Sequence, residues 1–159
     1  MDLKLQKELF SILEERLHAV GLETSEIPGV GGGQVGDTLR FLLPVNDEGS
    51  PVLMEIMAFS LSKGRDMLQF FTTVFTDLEE DQYNRVHEAL EVWSAKCLLG
   101  SYGVYRENRQ LYHKYGVPFF AVTDAGRMAD EAMNVLLLVY EMLAAEYPEL
   151  TKRVLGSGE

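Results

Sequence analysis

Ala129-Asp130-Glu131-Ala132-Met133-Asn134-Val135-Leu136-Leu137-Leu138-Val139-Tyr140-Glu141-Met142-Leu143-Ala144-Ala145-Glu146-Tyr147 is the stretch around which the rest of the chain must be built. Its centre, Val135 to Tyr140, is an unbroken apolar run. At helical spacing Met133, Leu136, Tyr140 and Leu143 fall on one side and Val135, Leu138 and Met142 on another. A helix apolar over that much of its circumference needs cover on more than one side. Glu131, Asn134 and Glu141 interrupt it too often for a bilayer span, which needs about 20 consecutive apolar residues. A sheet on one flank and a second element on the other would satisfy it. Asp124 can cap its start, and Pro148 is expected to end or bend it.

Working back toward the start, Leu3, Phe10, Leu13, Leu17 and Val20 recur at helical spacing, widened by Leu5, Leu9 and Ile12. Asp2 can cap this helix, and Gly21 can take the left-handed conformation after it. Residues 23–36, with Pro28 and five glycines, read as a linker without regular structure. Residues 38–45, 52–61 and 67–75 then alternate as strands, rich in aromatic and β-branched side chains, and suggest an antiparallel meander. The second and third strands are apolar on both faces, so the sheet is expected to be covered, at least in part, on both.

Thr76-Asp77-Leu78-Glu79 reads as a capping box opening a second helix. Its buried stripe would be Tyr83, Val86, Leu90, Trp93 and Cys97, with Ala89 and Val92 as a smaller apolar strip beside it. A hairpin follows, with its turn near Asn108-Arg109. With a two-residue turn there, Tyr105 lies across from Tyr112 and Tyr102 across from Tyr115, the two pairs on opposite faces. The fold class expected is α+β, an antiparallel sheet with helices in the order α-β-β-β-α-β-β-α. Residues 1–155 read as a single domain and 156–159 as a disordered tail.

The chain carries 25 acidic and 14 basic residues, a net charge of −11. The basic residues are scattered, which argues against nucleic acid and against an anionic membrane surface, both of which need clustered Lys and Arg. A single cysteine, Cys97, excludes an intrachain disulfide. No signal-peptide pattern opens the chain, so the expected location is cytoplasmic.

The motifs that could carry chemistry are weak. Gly31-Gly32-Gly33-Gln34-Val35-Gly36 has the G-x-G-x-x-G spacing, but a dinucleotide site needs that loop to leave a strand and open a helix. Here it leaves a helix and enters a strand. His18, His87 and His113 sit in three separate elements without the close His/Cys pairs of a zinc site. No serine occupies a nucleophile elbow, and the acidic pairs lie on helix surfaces. The expectation is therefore no enzyme, no metal and no cofactor. Of the seven methionines, Met54, Met57, Met67, Met128, Met133 and Met142 fall on the sheet and last helix, where they fill a core or adapt to a partner.

From Tyr83 to Leu150 the chain resembles the YbjN-like family, whose fold is similar to that of type III secretion chaperones. The resembling features are a helix ending in Val92-Trp93, the hairpin through Tyr105-Arg106-Glu107-Asn108-Arg109, and Tyr115-Gly116-Val117-Pro118-Phe119. The last of these leads into a long apolar helix closed by Tyr147-Pro148-Glu149-Leu150. The first half matches in element order only, and the glycine linker at 29–36 is longer than the family pattern. The resemblance implies a twisted antiparallel sheet and a homodimer. In secretion chaperones the pair forms largely through the middle helix, and apolar patches hold an extended client. No residue-level site is carried across.

These strands of reasoning converge on a non-enzymatic protein-binding module, chaperone-like or regulatory, acting as a homodimer on an unidentified protein partner. Ala89, Val92, Tyr105, Tyr112 and Leu137 are the residues expected to meet a partner or second copy. The alternative is a small-ligand-binding domain with an aromatic cleft between sheet and last helix, formed by Phe70, Phe71, Tyr112 and Phe119.

Overall fold

The computed structural model describes residues 1–29, 35–45, 51–62 and 64–156. The elements are α1 (Leu3–Ala19), β1 (Thr24–Ile27), β2 (Val35–Leu43), β3 (Val52–Ser62), β4 (Arg65–Phe75), α2 (Glu80–Lys96), β5 (Ser101–Tyr105), β6 (Gln110–Phe120) and α3 (Ala125–Leu155). Six antiparallel strands form one sheet in the order β1-β2-β3-β4-β6-β5. Among the described residues the fold is thus α+β with three helices, in the expected order apart from one added strand.

All three helices contribute to a single core on one face of the sheet. Leu39 and Phe41 of β2, Met54 and Ile56 of β3, Leu68 and Phe70 of β4, and Leu111 and Phe119 of β6 point into it. Period-two alternation puts these residues on one side of the pleat. α3 supplies the opposing wall through Met128, Ala132, Leu136, Val139, Leu143, Tyr147, Leu150 and Val154, spaced three or four apart along its whole length. α1 adds Leu5, Leu9, Phe10, Leu13 and Leu17, while Leu3 and Val20, the outer members of its expected stripe, stay exposed. Asp2 Oδ1 accepts from Leu5 N at 2.8 Å, and Gly21 follows with φ +84°.

α3 is flanked on both sides, as its apolar circumference requires. Arg16 of α1 pairs with Asp130 at 2.6 Å. α2 runs antiparallel along the other flank: Arg85 donates to the carbonyls of Arg153 (3.3 Å) and Val154 (2.7 Å), and Cys97 meets Met142. Leu137 and Leu138 remain 54% and 49% exposed. Pro148 does not end the helix, which continues to Leu155. The last two turns are held by the burial of Leu150 and Val154, and Arg85 satisfies carbonyls that a helix end leaves unpaired. Gly156 follows with φ +82°, and residues 157–159 of the expected tail lie outside the described residues.

Three further expectations need correction. Residues 23–36 are not all linker: Thr24–Ile27 pair with 38–41 as β1, and β2 begins at Val35. Thr24 Oγ1 lies 3.0 Å from His18 Nε2, which ties this short edge strand to α1. The glycine motif therefore follows a strand rather than a helix; residues 31–34, like the 46–50 loop, lie outside the described residues. The α2 capping box forms one turn later than expected, with Gln82 Oε1 accepting from Glu79 N at 2.8 Å. Asp77 takes φ +54° so that Leu78 can enter the core, and the backbone N–H groups of both donate to carbonyls of the hairpin turn. Finally, that turn contains four residues, 106–109, so Tyr105 faces Gln110 and Tyr102 faces His113. The slip is two residues, and an even slip leaves every side chain on its expected face.

Candidate protein-binding face

Among the described residues, nothing covers the second face of the sheet, contrary to the expectation of cover on both. Strand pairing lays its side chains in rows. One row runs Ser25–Arg40–Glu55–Phe71–Lys114–Ser101 across all six strands. On one side of it lies Leu42–Leu53–Thr73–Tyr112–Gly103, and on the other Ile27–Thr38–Met57–Gln69–Gly116. Beyond these come Phe59–Met67–Pro118 and, at the end of β6, Phe120. Leu42 is 56% exposed and Phe120 69%, with Leu53, Met57, Phe59 and Met67 half-buried.

An aromatic stack stands on this face. Tyr105 and Tyr112 have ring centroids 4.6 Å apart, and Phe71 lies 5.0 Å from Tyr112. The two tyrosines are diagonal neighbours, within reach of aromatic side chains. Gly103 makes room for the stack: a Cβ there would sit 2.4 Å from Tyr112 Oη. Beside the rings, Arg40 clasps Glu55 through Nε (3.0 Å) and Nη2 (2.5 Å). Glu55 is the only carboxylate among the described strand residues pointing to this face, against Arg40, Arg65 and Lys114. The three helices carry three, four and five carboxylates in turn.

The five residues expected to meet a partner are thus dispersed. Tyr105 and Tyr112 share the uncovered face. Ala89 is buried and offers little surface; Val92, 53% exposed, borders a groove of about 450 Å³ between α2 and α3 with Trp93 and Leu150. Leu137 borders an apolar pit of about 500 Å³ on the opposite flank of α3, with Leu43, Met133, Leu136 and Tyr140. The aromatic cleft does not form. Phe70 and Phe119 face the helices, whereas Phe71 and Tyr112 face away from them, because consecutive residues of a strand point to opposite sides.

Titratable groups gather where α2, β5, β6 and α3 meet. Tyr102 donates to Glu146 Oε2 at 2.5 Å, and burial, then Glu146, pushes its phenol far up. Burial pushes the Cys97 thiol up as well, against its bond to the Leu99 carbonyl at 3.2 Å. His113, fully buried, places Nε2 2.6 Å from the same carbonyl and has no partner for Nδ1. Burial lowers its pKa, with the Leu99 bond opposing. In each case burial favours the neutral form. No group of three or more His, Cys, Asp or Glu residues that could hold a metal occurs among the described residues, and no helix there is long and apolar enough to cross a membrane.

His113 makes stability depend on pH with a definite sign. Its folded pKa lies below the unfolded value near 6.5, so the unfolded chain takes the proton first as pH falls. Its contribution is complete above that value and is lost as pH falls from about 6.5 through the folded pKa, at up to about 1.4 kcal/mol per pH unit. Urea midpoints are expected to drop between pH 7.5 and 5.5, and His113→Phe to flatten that drop. An equal drop in both proteins would assign the effect elsewhere.

Comparison with protein-family models, curated proteins and solved structures finds no match to this chain.

Proposed function

We propose that this chain is a non-enzymatic protein-binding module, chaperone-like or regulatory, that acts as a homodimer. The observation that carries the proposal is the uncovered sheet face, with Leu42, Met57, Phe59, Met67, Tyr105 and Phe120 on one surface. Large apolar side chains gathered on an exposed surface mark interaction sites. The resemblance of residues 83–150 to the YbjN-like family leans the same way. Light scattering is expected to give twice 17.9 kDa, and the protein in equimolar amount to slow aggregation of a heat-unfolding test enzyme. A single-copy mass together with unaltered aggregation would remove the reading.

One observation favours small-ligand binding instead, the apolar pit beside Leu137. If that reading held, a medium-chain fatty acid would raise the thermal midpoint of the parent chain but not of Leu137→Asp.

A further inference from the structure

We infer that two copies of this chain pack sheet against sheet through the uncovered face, rather than through α2. The inference rests on the homodimer reading and assigns its surface.

Size is the first support. Strands of these lengths, with residues about 3.3 Å apart along each and strands about 4.8 Å apart, present roughly 800 Å². A stable interface takes about 800 Å² from each partner. Sheets stacked face to face lie about 10 Å apart with interdigitating side chains, the spacing that half-buried Leu, Met and Phe residues fill.

Charge is the second. A chain of net charge −11 repels its own copy wherever carboxylates gather. Twelve of the 25 lie on the helices, where α2 and α3 each carry a net charge of −2 and α1 is neutral. Among the described strand residues the sheet face holds one carboxylate, Glu55, and Arg40 pairs with it. Two copies that meet through this face keep the acidic helices α2 and α3 apart. The α2 strip fares worse, with Ala89 buried and Glu88 beside it in the groove.

Sedimentation of the parent chain, Leu42→Glu/Phe120→Asp and Val92→Glu distinguishes the possibilities. Leu42 and Phe120 are exposed in one copy, so their replacement is expected to halve the mass while leaving the circular dichroism spectrum unchanged. Val92→Glu is expected to keep the parent mass. A parent dimer dissociated by Val92→Glu but not by the double variant overturns the sheet assignment and leaves the homodimer reading standing. A parent monomer at every concentration sinks both. A second readout needs no variant: peroxide oxidation of Met57 and Met67, followed by mass spectrometry, is expected to slow severalfold as protein concentration rises through the dissociation constant. Oxidation of Met133 and Met142 is expected to stay constant. Equal rates for Met57 and Met67 at low and high concentration, with the mass doubling, would also overturn the sheet assignment.

Discussion

Gly100→Ala is expected to destabilise the folded chain by about 3 kcal/mol or more, far beyond the effect of the same change at Gly21. Both glycines have strongly positive φ, +82° and +84°, so both substitutions carry the left-handed penalty of about 1–2 kcal/mol. They differ in surroundings. A Cβ on Gly21 meets nothing within 4 Å, whereas one on Gly100 would lie 2.1 Å from the Lys114 carbonyl oxygen and 2.9 Å from His113 Nε2. The carbonyl belongs to β6, which is paired with β4 on one side and β5 on the other, and cannot swing aside as a side chain can. The 99–100 segment would have to lift instead, withdrawing the Leu99 carbonyl from the imidazole. His113 already lacks a partner for Nδ1, and losing the other bond would leave a buried ring unpaired at both nitrogens, about 1–3 kcal/mol more. Urea unfolding of the two variants side by side is the measurement. Equal losses would mean that the clash relaxes cheaply.

How much of this was legible beforehand divides by the range of the forces involved. The Asp2 and Asp124 caps, the middle of the α1 stripe and the alternation in β2, β3 and β4 are local patterns, and they appear where spacing predicts. On α3, however, only Leu136 and Leu143 of the expected stripes are buried and Leu138 is exposed, because the buried line runs through Met128, Ala132, Leu136, Val139 and Leu143. β1 was missed because Thr24-Ser25-Glu26-Ile27 carries almost no apolar signal and is a strand only through its pairing with β2. The hairpin register was missed by two because alternation repeats every second residue and cannot distinguish even slips. It did place Tyr105 and Tyr112 on one face and Tyr102 on the other. Phe75 shows a similar limit: the irregularity between Thr73 and Phe75 turns its ring to the helix side, where it stacks on Tyr147 at 5.6 Å. The uncovered face was half legible. Apolar residues on both sides of β3 and β4 indicate that both sides want cover, but a sequence does not say whether that cover comes from the same chain. The aromatic cleft, by contrast, is excluded by strand alternation alone, since Phe70 and Phe71 are neighbours in one strand and point to opposite faces.

Pro148→Ala is expected to stabilise the chain, by about 1–3 kcal/mol, against the usual sign for a point substitution. A proline inside a helix has no N–H for the carbonyl four residues earlier, here Ala144, and its ring crowds that carbonyl. α3 tolerates this because its buried stripe resumes at Leu150 and Val154, and because Arg85 and Arg153 hydrogen-bond reciprocally to backbone carbonyls across α2 and α3. Residue 148 is itself exposed, so alanine there surrenders no core contact while restoring the bond. A higher thermal midpoint with unchanged mass is the expected result. A lower midpoint would mean that the proline sets the path by which Leu150 and Val154 reach the core. The groove beside Val92 gives a second readout, because Ala145, Glu149 and Arg153 line it on either side of the proline. If alanine raises the midpoint and leaves Trp93 fluorescence unaltered, the proline is a local cost that the core absorbs. If the fluorescence shifts together with a falling midpoint, the proline shapes the groove, and the α2–α3 contact depends on it.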